Sequence, residues 1–134
     1  MAHTFNFDTI DRNTKEVTPA LIDAVADRIV HYLQPDQVLL FGSQASGQAT
    51  KNSDIDLLVI LDNYHKLATA QQRNRAKQVL DLFRYRSFGL DAIVLTEAEI
   101  RQLQATNEDE WNLILEILAT GKPLYERTEE AATQ

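Results

Sequence analysis

Residues 38–61 read VLLFGSQASGQATKNSDIDLLVIL, and their interpretation decides the fold. Two apolar runs, at 38–41 and 55–61, have the length and the aliphatic content of buried strands. Between them, residues 42–53 are drawn from Gly, Ser, Gln, Ala, Thr, Lys and Asn, a composition that stays in solvent. The second run carries Asp54 and Asp56 at its start. In a strand, residues i and i+2 share a face, so the two carboxylates project side by side. Like charges that close repel, and neither is easily buried alone. A divalent cation removes the conflict. Hard oxygen ligands of this kind suit Mg²⁺, which takes one or two protein carboxylates and fills its shell with water and substrate phosphates.

Working outward, residues 90–95 (LDAIVL) form a third strand candidate that also begins with a carboxylate, Asp91. Singly, Asp54 reads as a solvent-facing loop residue and Asp91 as a turn residue after Gly89. On neighbouring strands the three converge, and three carboxylates can hold two metal ions about 4 Å apart, the spacing that clamps the attacking and leaving oxygens of a phosphoryl or nucleotidyl transfer. Upstream, Gly42 and Ser43 follow a strand directly, where backbone N–H groups can meet an anion. Gly42 lets phosphate approach the backbone, and the Ser43 hydroxyl can donate to a phosphate oxygen. Gly42 and Gly47 have P-loop spacing, but Gln48-Ala49 stand where that motif needs Lys and then Ser or Thr, and G-x-G-x-x-G is absent.

The remaining segments frame a small sheet. Thr18-Pro19 opens a first helix with Leu21, Val25, Ile29 and Leu33 on one stripe, ended by Pro35. Asp62-Asn63 breaks the second strand and is expected to cap a long helix over 64–85. Thr96 starts a helix with capping-box spacing to Glu99. Asn107 is expected to open a last helix carrying Trp111, Ile114, Leu115 and Leu118, closed by Gly121, with an edge strand at Leu124-Tyr125. The fold class is α/β (α+β), a small mixed sheet with helices packed on it. Trp111 reads as core, Tyr64 as a surface residue, and His3, His31 and His65 as scattered surface residues.

With 134 residues, the chain is expected to form a single domain over 1–134 with loosely ordered ends at about 1–16 and 127–134. It has no cysteine, so disulfides and thiolate metal sites are excluded. No apolar run has the length of a membrane span and the N-terminus lacks a signal peptide, so a cytoplasmic protein is expected. Net charge is −7, which argues against direct nucleic-acid binding through phosphate neutralisation. Lys66 to Arg86 nevertheless carries +5, leaving −12 elsewhere. That segment is either a solvated helix face or a docking surface for an acidic partner or nucleotide phosphates.

Gly42-Ser43, ten residues, then Asp54-Ile55-Asp56 fits G-S-x(10)-D-x-D. By residue frequencies alone these four fixed positions occur in roughly one chain of this length in several hundred. The pattern resembles the signature of the polymerase-β-like nucleotidyltransferase superfamily, and Asp91 resembles its third carboxylate. The ending ILATGKPLYE is similar to the close of the minimal nucleotidyltransferase (MNT) subfamily, so the resemblance spans about residues 18–126. It implies a palm-like sheet on which Gly42 and Ser43 bind the triphosphate of ATP. Asp54, Asp56 and Asp91 would hold Mg²⁺, two ions being expected, and Asp91 would help deprotonate the acceptor. Larger members carry an added helical domain, and only a short tail follows here, so the acceptor is expected from outside. That points to MNT antitoxins, which transfer AMP to a tyrosine of a HEPN ribonuclease toxin and are expected to form a hetero-oligomer with it, with the +5 segment as a face for the toxin. One departure stands out. Ser46 occupies the loop position where many members carry Arg or Lys, and Lys51 is the expected substitute among the nucleotide-binding residues. Two alternatives follow: a catalytically weak antitoxin acting by occlusion, or a small-molecule nucleotidyltransferase of the aminoglycoside type.

Overall fold

The computed structural model describes residues 10, 13–50, 52–106 and 112–128. Thr18 opens the first helix as its chemistry dictates. Its hydroxyl accepts the N–H of Leu21 at 3.1 Å, and Pro19 takes the first helical position, where no N–H is needed. Helix α1 (Pro19–Leu33) buries Leu21, Val25, Ile29 and Leu33. It stops ahead of Pro35, with Gln34 in the left-handed conformation.

Four strands follow: β1 (Gln37–Phe41), β2 (Ile55–Leu61), β3 (Leu90–Thr96) and β4 (Lys122–Glu126). Their order across the sheet is β3-β2-β1-β4. β1 runs antiparallel to β2 and β4, and β2 runs parallel to β3, so the sheet is mixed. A parallel pair needs a crossover, which residues 62–89 supply through helix α3 (Gln72–Asp81). The two-residue period sorts the apolar side chains. Val38, Leu40, Leu57, Val59 and Val94 pack beneath α1 and α3. Leu39, Leu58, Ile60 and Leu95 pack against Ile100 of α4 (Glu97–Thr106) and Ile117 of α5 (Leu113–Thr120). From Leu57 onward β2 is therefore buried on both faces, which explains its unbroken apolar run.

Two local expectations need correction. The helix expected over 64–85 exists only from Gln72 to Asp81, and residues 63–70 form turns. On its N-terminal side the guanidinium of Arg75 takes the carbonyls of Leu67 and Ala68 at 2.9 and 2.8 Å, oxygens a continuous helix would have used internally. Asp62 accordingly accepts the Tyr64 N–H locally, and Asn63 caps α4 instead by accepting the N–H of Ala98 at 2.8 Å. Within the loop after β1, Ser43–Ser46 forms a one-turn helix, α2, with no buried residue. Finally, α5 is capped by Asn112, whose side chain accepts from Ile114 and Leu115. Asn107 and Trp111 lie outside the described residues. The Thr96–Glu99 capping box is present in both directions, at 2.8 and 3.2 Å. Among the described residues no helix is long and apolar enough to cross a membrane.

Candidate active site

One end of the sheet collects the residues singled out above. Because β1 is antiparallel to β2 and β2 parallel to β3, the C-terminal end of β1 meets the N-terminal ends of β2 and β3. Asp56 is the register partner of Phe41 on one side and of Asp91 on the other. The alternation that sends Leu58 and Ile60, and Ile93 and Leu95, toward α4 and α5 sends Asp56 and Asp91 to that same face. They occupy its uncovered margin: Asp91 is exposed and Asp56 half-buried.

Asp54 precedes β2 and is exposed. Its carboxylate lies against Gly89, where an added Cβ would overlap Oδ1. Gly89 also accepts the N–H of Ile55 through its carbonyl at 2.9 Å, fixing the start of β2 beside the start of β3. The Asp56 carboxylate stands in the same relation to Gly42, where a Cβ would overlap Oδ2. Gly42 has φ +73°, a conformation that an L side chain rarely adopts. Its place directly after β1 therefore has two independent causes, the left-handed turn and the carboxylate behind it.

The turn at Gly42 leads into α2, whose first residue is Ser43. The carbonyl of Gly42 accepts from Ala45 and Ser46, while the N–H groups of Ser43 and Gln44 open the helix without an intrahelical acceptor. Gln44 braces the loop by donating to the Ser53 carbonyl at 3.0 Å. Ser46 is exposed, and its hydroxyl donates to the Ser43 carbonyl at 3.3 Å. Lys51 lies outside the described residues.

Electrostatically this end is unusual. Burial raises the Asp56 carboxyl above its ordinary value, and the charges of Asp91 and Asp54 raise it further. Among the described residues no Lys, Arg or His forms an ion pair with any of the three. Nor do three or more carboxylates or histidines among the described residues close on a single ready-made ion site. Asp54, Asp56 and Asp91 share one end and one charge problem, with Asp54 turned toward Gly89 and Asp56 toward Gly42. Of the described residues, these have the donor chemistry for a hard cation. Sequence reasoning passed over Gly89 as a site residue; its position two residues before Asp91 was the available signal.

The family model described as "Polymerase beta, Nucleotidyltransferase" matches residues 24–130, which include β1, the loop, β2 and β3. The chain belongs to that family. As a polymerase beta-type nucleotidyltransferase, it has nucleotidyl transfer as its reaction class. Two solved structures are similar to it. One is a protein of Sulfolobus solfataricus described as a candidate nucleotidyltransferase, with 23% identity and TM-score 0.47, covering 70% of this chain and 85% of that one. The other is a toxin–antitoxin structure with AMP-PNP, with 17% identity and TM-score 0.46, covering 83% and 78%. Comparison with curated proteins gives no match.

Proposed function

We propose that this nucleotidyltransferase moves AMP from ATP to a tyrosine hydroxyl of a partner protein, a HEPN ribonuclease, and silences it. The observation that carries the reading is the pairing of Gly42 with Asp56 and of Asp56 with Asp91 at one sheet end where, among the described residues, no Lys, Arg or His forms an ion pair with the carboxylates. The G-S-x(10)-D-x-D pattern and the MNT-like ending supply the narrower identification.

In this reading the minimal domain does little covalent chemistry of its own. The N–H groups of Ser43 and Gln44 and the Ser43 hydroxyl bind triphosphate oxygens, and Gly42 admits them close to the backbone. Asp54, Asp56 and Asp91 would hold Mg²⁺, which neutralises charge on the phosphates when bound. Raised by burial and by its neighbours, Asp56 needs a counter-charge, and hard carboxylate oxygens suit this ion. The tyrosine oxygen attacks the α-phosphorus, an O–P bond forms, the α–β anhydride bond breaks, and pyrophosphate leaves. Asp91, the most accessible carboxylate on the strand pair, takes the hydroxyl proton.

A second reading draws on Ser46, which offers the phosphates no charge. On that view the protein neutralises its partner by occlusion, with slow transfer or none. Incubation with α-labelled ATP, Mg²⁺ and the partner separates the two. Label on a partner tyrosine, lost in Asp54→Asn and Asp56→Asn, is the expected result. Full neutralisation by the double variant without label transfer would establish occlusion instead.

A further inference from the structure

The six basic residues between Lys66 and Arg86 do not form one face. Arg75 is interior, and Lys77 pairs with Asp81 at 3.2 Å. The turn after α3, by contrast, brings Arg84 and Arg86 together with Arg28 of α1 around a cavity of about 430 Å³. Arg28 is fixed there, donating to the Leu82 carbonyl at 3.0 Å with its guanidinium 5.2 Å above the Phe83 ring centre. Arg86 is held by a donation to the Phe83 carbonyl at 3.3 Å, one of its five N–H donors. Arg84 is exposed and makes no ion pair among the described residues.

The lining narrows the ligand. Leu82, Phe83 and Ile10 give the cavity an apolar wall, and Tyr85, 72% exposed, stands at its rim. Asp81 also lines it, its charge met by Lys77 at 3.2 Å. Guanidinium groups beside apolar surface suit carboxylates set among apolar side chains, through paired N–H donors that a lysine could not present. The location matters as well. Arg86 lies three residues before Gly89, which touches Asp54, and three residues span at most about 11 Å.

We propose that this cavity docks an acidic segment of the acceptor protein, Glu or Asp flanked by apolar residues, and so holds the acceptor beside the carboxylate end of the sheet. The inference rests on the reading that the acceptor is a protein. The probe is a short acetylated peptide, Ser-Glu-Leu-Asp-Glu-Leu-Ser, titrated into the ¹⁵N-labelled full chain alongside its Gln/Asn isostere and inorganic triphosphate. Amide shifts centred on Phe83, Arg84 and Tyr85 are expected with the acidic peptide. Binding should be at least tenfold weaker for the isostere and for Arg84→Glu/Arg86→Glu. Because Arg84 is exposed, the single variant Arg84→Glu keeps the test open should the double variant fail to fold, and it should weaken binding severalfold. Equal binding of the isostere, shifts centred elsewhere, or displacement of the peptide from these residues by triphosphate would overturn the proposal. AMP-PNP binding to wild type and Asp56→Asn is measured separately: its absence from wild type would sink the proposed transfer of AMP from ATP while leaving the peptide result standing.

Discussion

The two ends of the sheet hold acidic clusters of similar size and opposite design. At the far end, where β1 begins and β2, β3 and β4 finish, Asp36, Asp62, Glu97 and Glu99 gather. Two arginines are built in among them. Arg127 pairs with Asp36 at 3.2 Å and with Asp62 at 3.5 Å, and its backbone N–H donates to the Asp36 carbonyl at 2.7 Å. Arg75 pairs with Glu99 at 2.6 Å and donates to the Val94 carbonyl at 3.2 Å. The remaining acid, Glu97, is raised by its hydrogen bond with Asp36 and then by burial. At the near end Asp54, Asp56 and Asp91 have no such arginine among the described residues. An acidic cluster that contains its own cation is complete and belongs to the scaffold. One that lacks it costs stability and requires a charge from outside. The contrast, rather than the number of carboxylates, separates site from scaffold.

The sharpest break of that comparison is Asp56→Asn. Transfer activity should fall about a thousandfold, as expected when a group aimed at the reacting phosphates is lost. Thermal stability without divalent cations should hold or rise, since a raised, repelled carboxyl is gone. A substantial loss of stability would mean that Asp56 is structural after all. Second in size is Arg75→Met at the far end. Arg75 is 3% exposed, and its loss strands Glu99 together with the carbonyls of Leu67 and Ala68. Denaturant unfolding should show about 3 kcal/mol of destabilisation, and activity should suffer only in proportion to the unfolded fraction.

Much of the near end was legible in the chain because its parts are local. Val38–Leu61 holds two strands, two glycines and two carboxylates within 24 residues, and period-two alternation places Asp56 on a face without any knowledge of partners. Thr18 and the Thr96–Glu99 box are equally local and equally plain. The far end was opaque for the opposite reason. Asp36, Asp62 and Arg127 are dispersed along the chain, and no periodicity connects them. Arg75 misled in a specific way. In a segment of +5 it read as one of several surface charges, whereas its hydrogen bonds draw it inward, and with the carbonyls of Leu67 and Ala68 taken by Arg75 the helix begins only at Gln72. The Gly89–Asp54 contact escaped notice because it joins a turn to a strand start across a parallel pair.

Arg127→Ala tests the scaffold side more gently. Its side chain is 24% exposed, and those of Asp36 and Asp62 are 15% and 30% exposed, so solvent screens the pair. A loss of about 1–2 kcal/mol is expected, between the values for surface and buried pairs. Raising the salt concentration should diminish this loss, since partly exposed ion pairs are screened. A loss unchanged in high salt would mean that the Arg127 side chain acts through its hydrogen bond to the Gln34 carbonyl at 2.9 Å.

The smallest effect isolates one carboxylate. Burial by itself would raise Glu99, but the hydrogen bond from Arg75, those from Thr96 and the Arg75 charge outweigh it and hold the carboxyl below its ordinary 4.5. A depressed acid contributes stability that is fully present above its unfolded value and disappears as pH falls through the lower folded one. Glu99→Gln preserves the shape and an acceptor oxygen while removing the charge. With a third of the side chain exposed, the gap in melting temperature between wild type and variant should be about 2 °C at pH 7. It should begin to close only below pH 4.5 and vanish in stronger acid. A gap that instead widened toward acid would place the Glu99 carboxyl above its ordinary value, and the far end could then no longer be described as an acidic cluster neutralised by its own arginines.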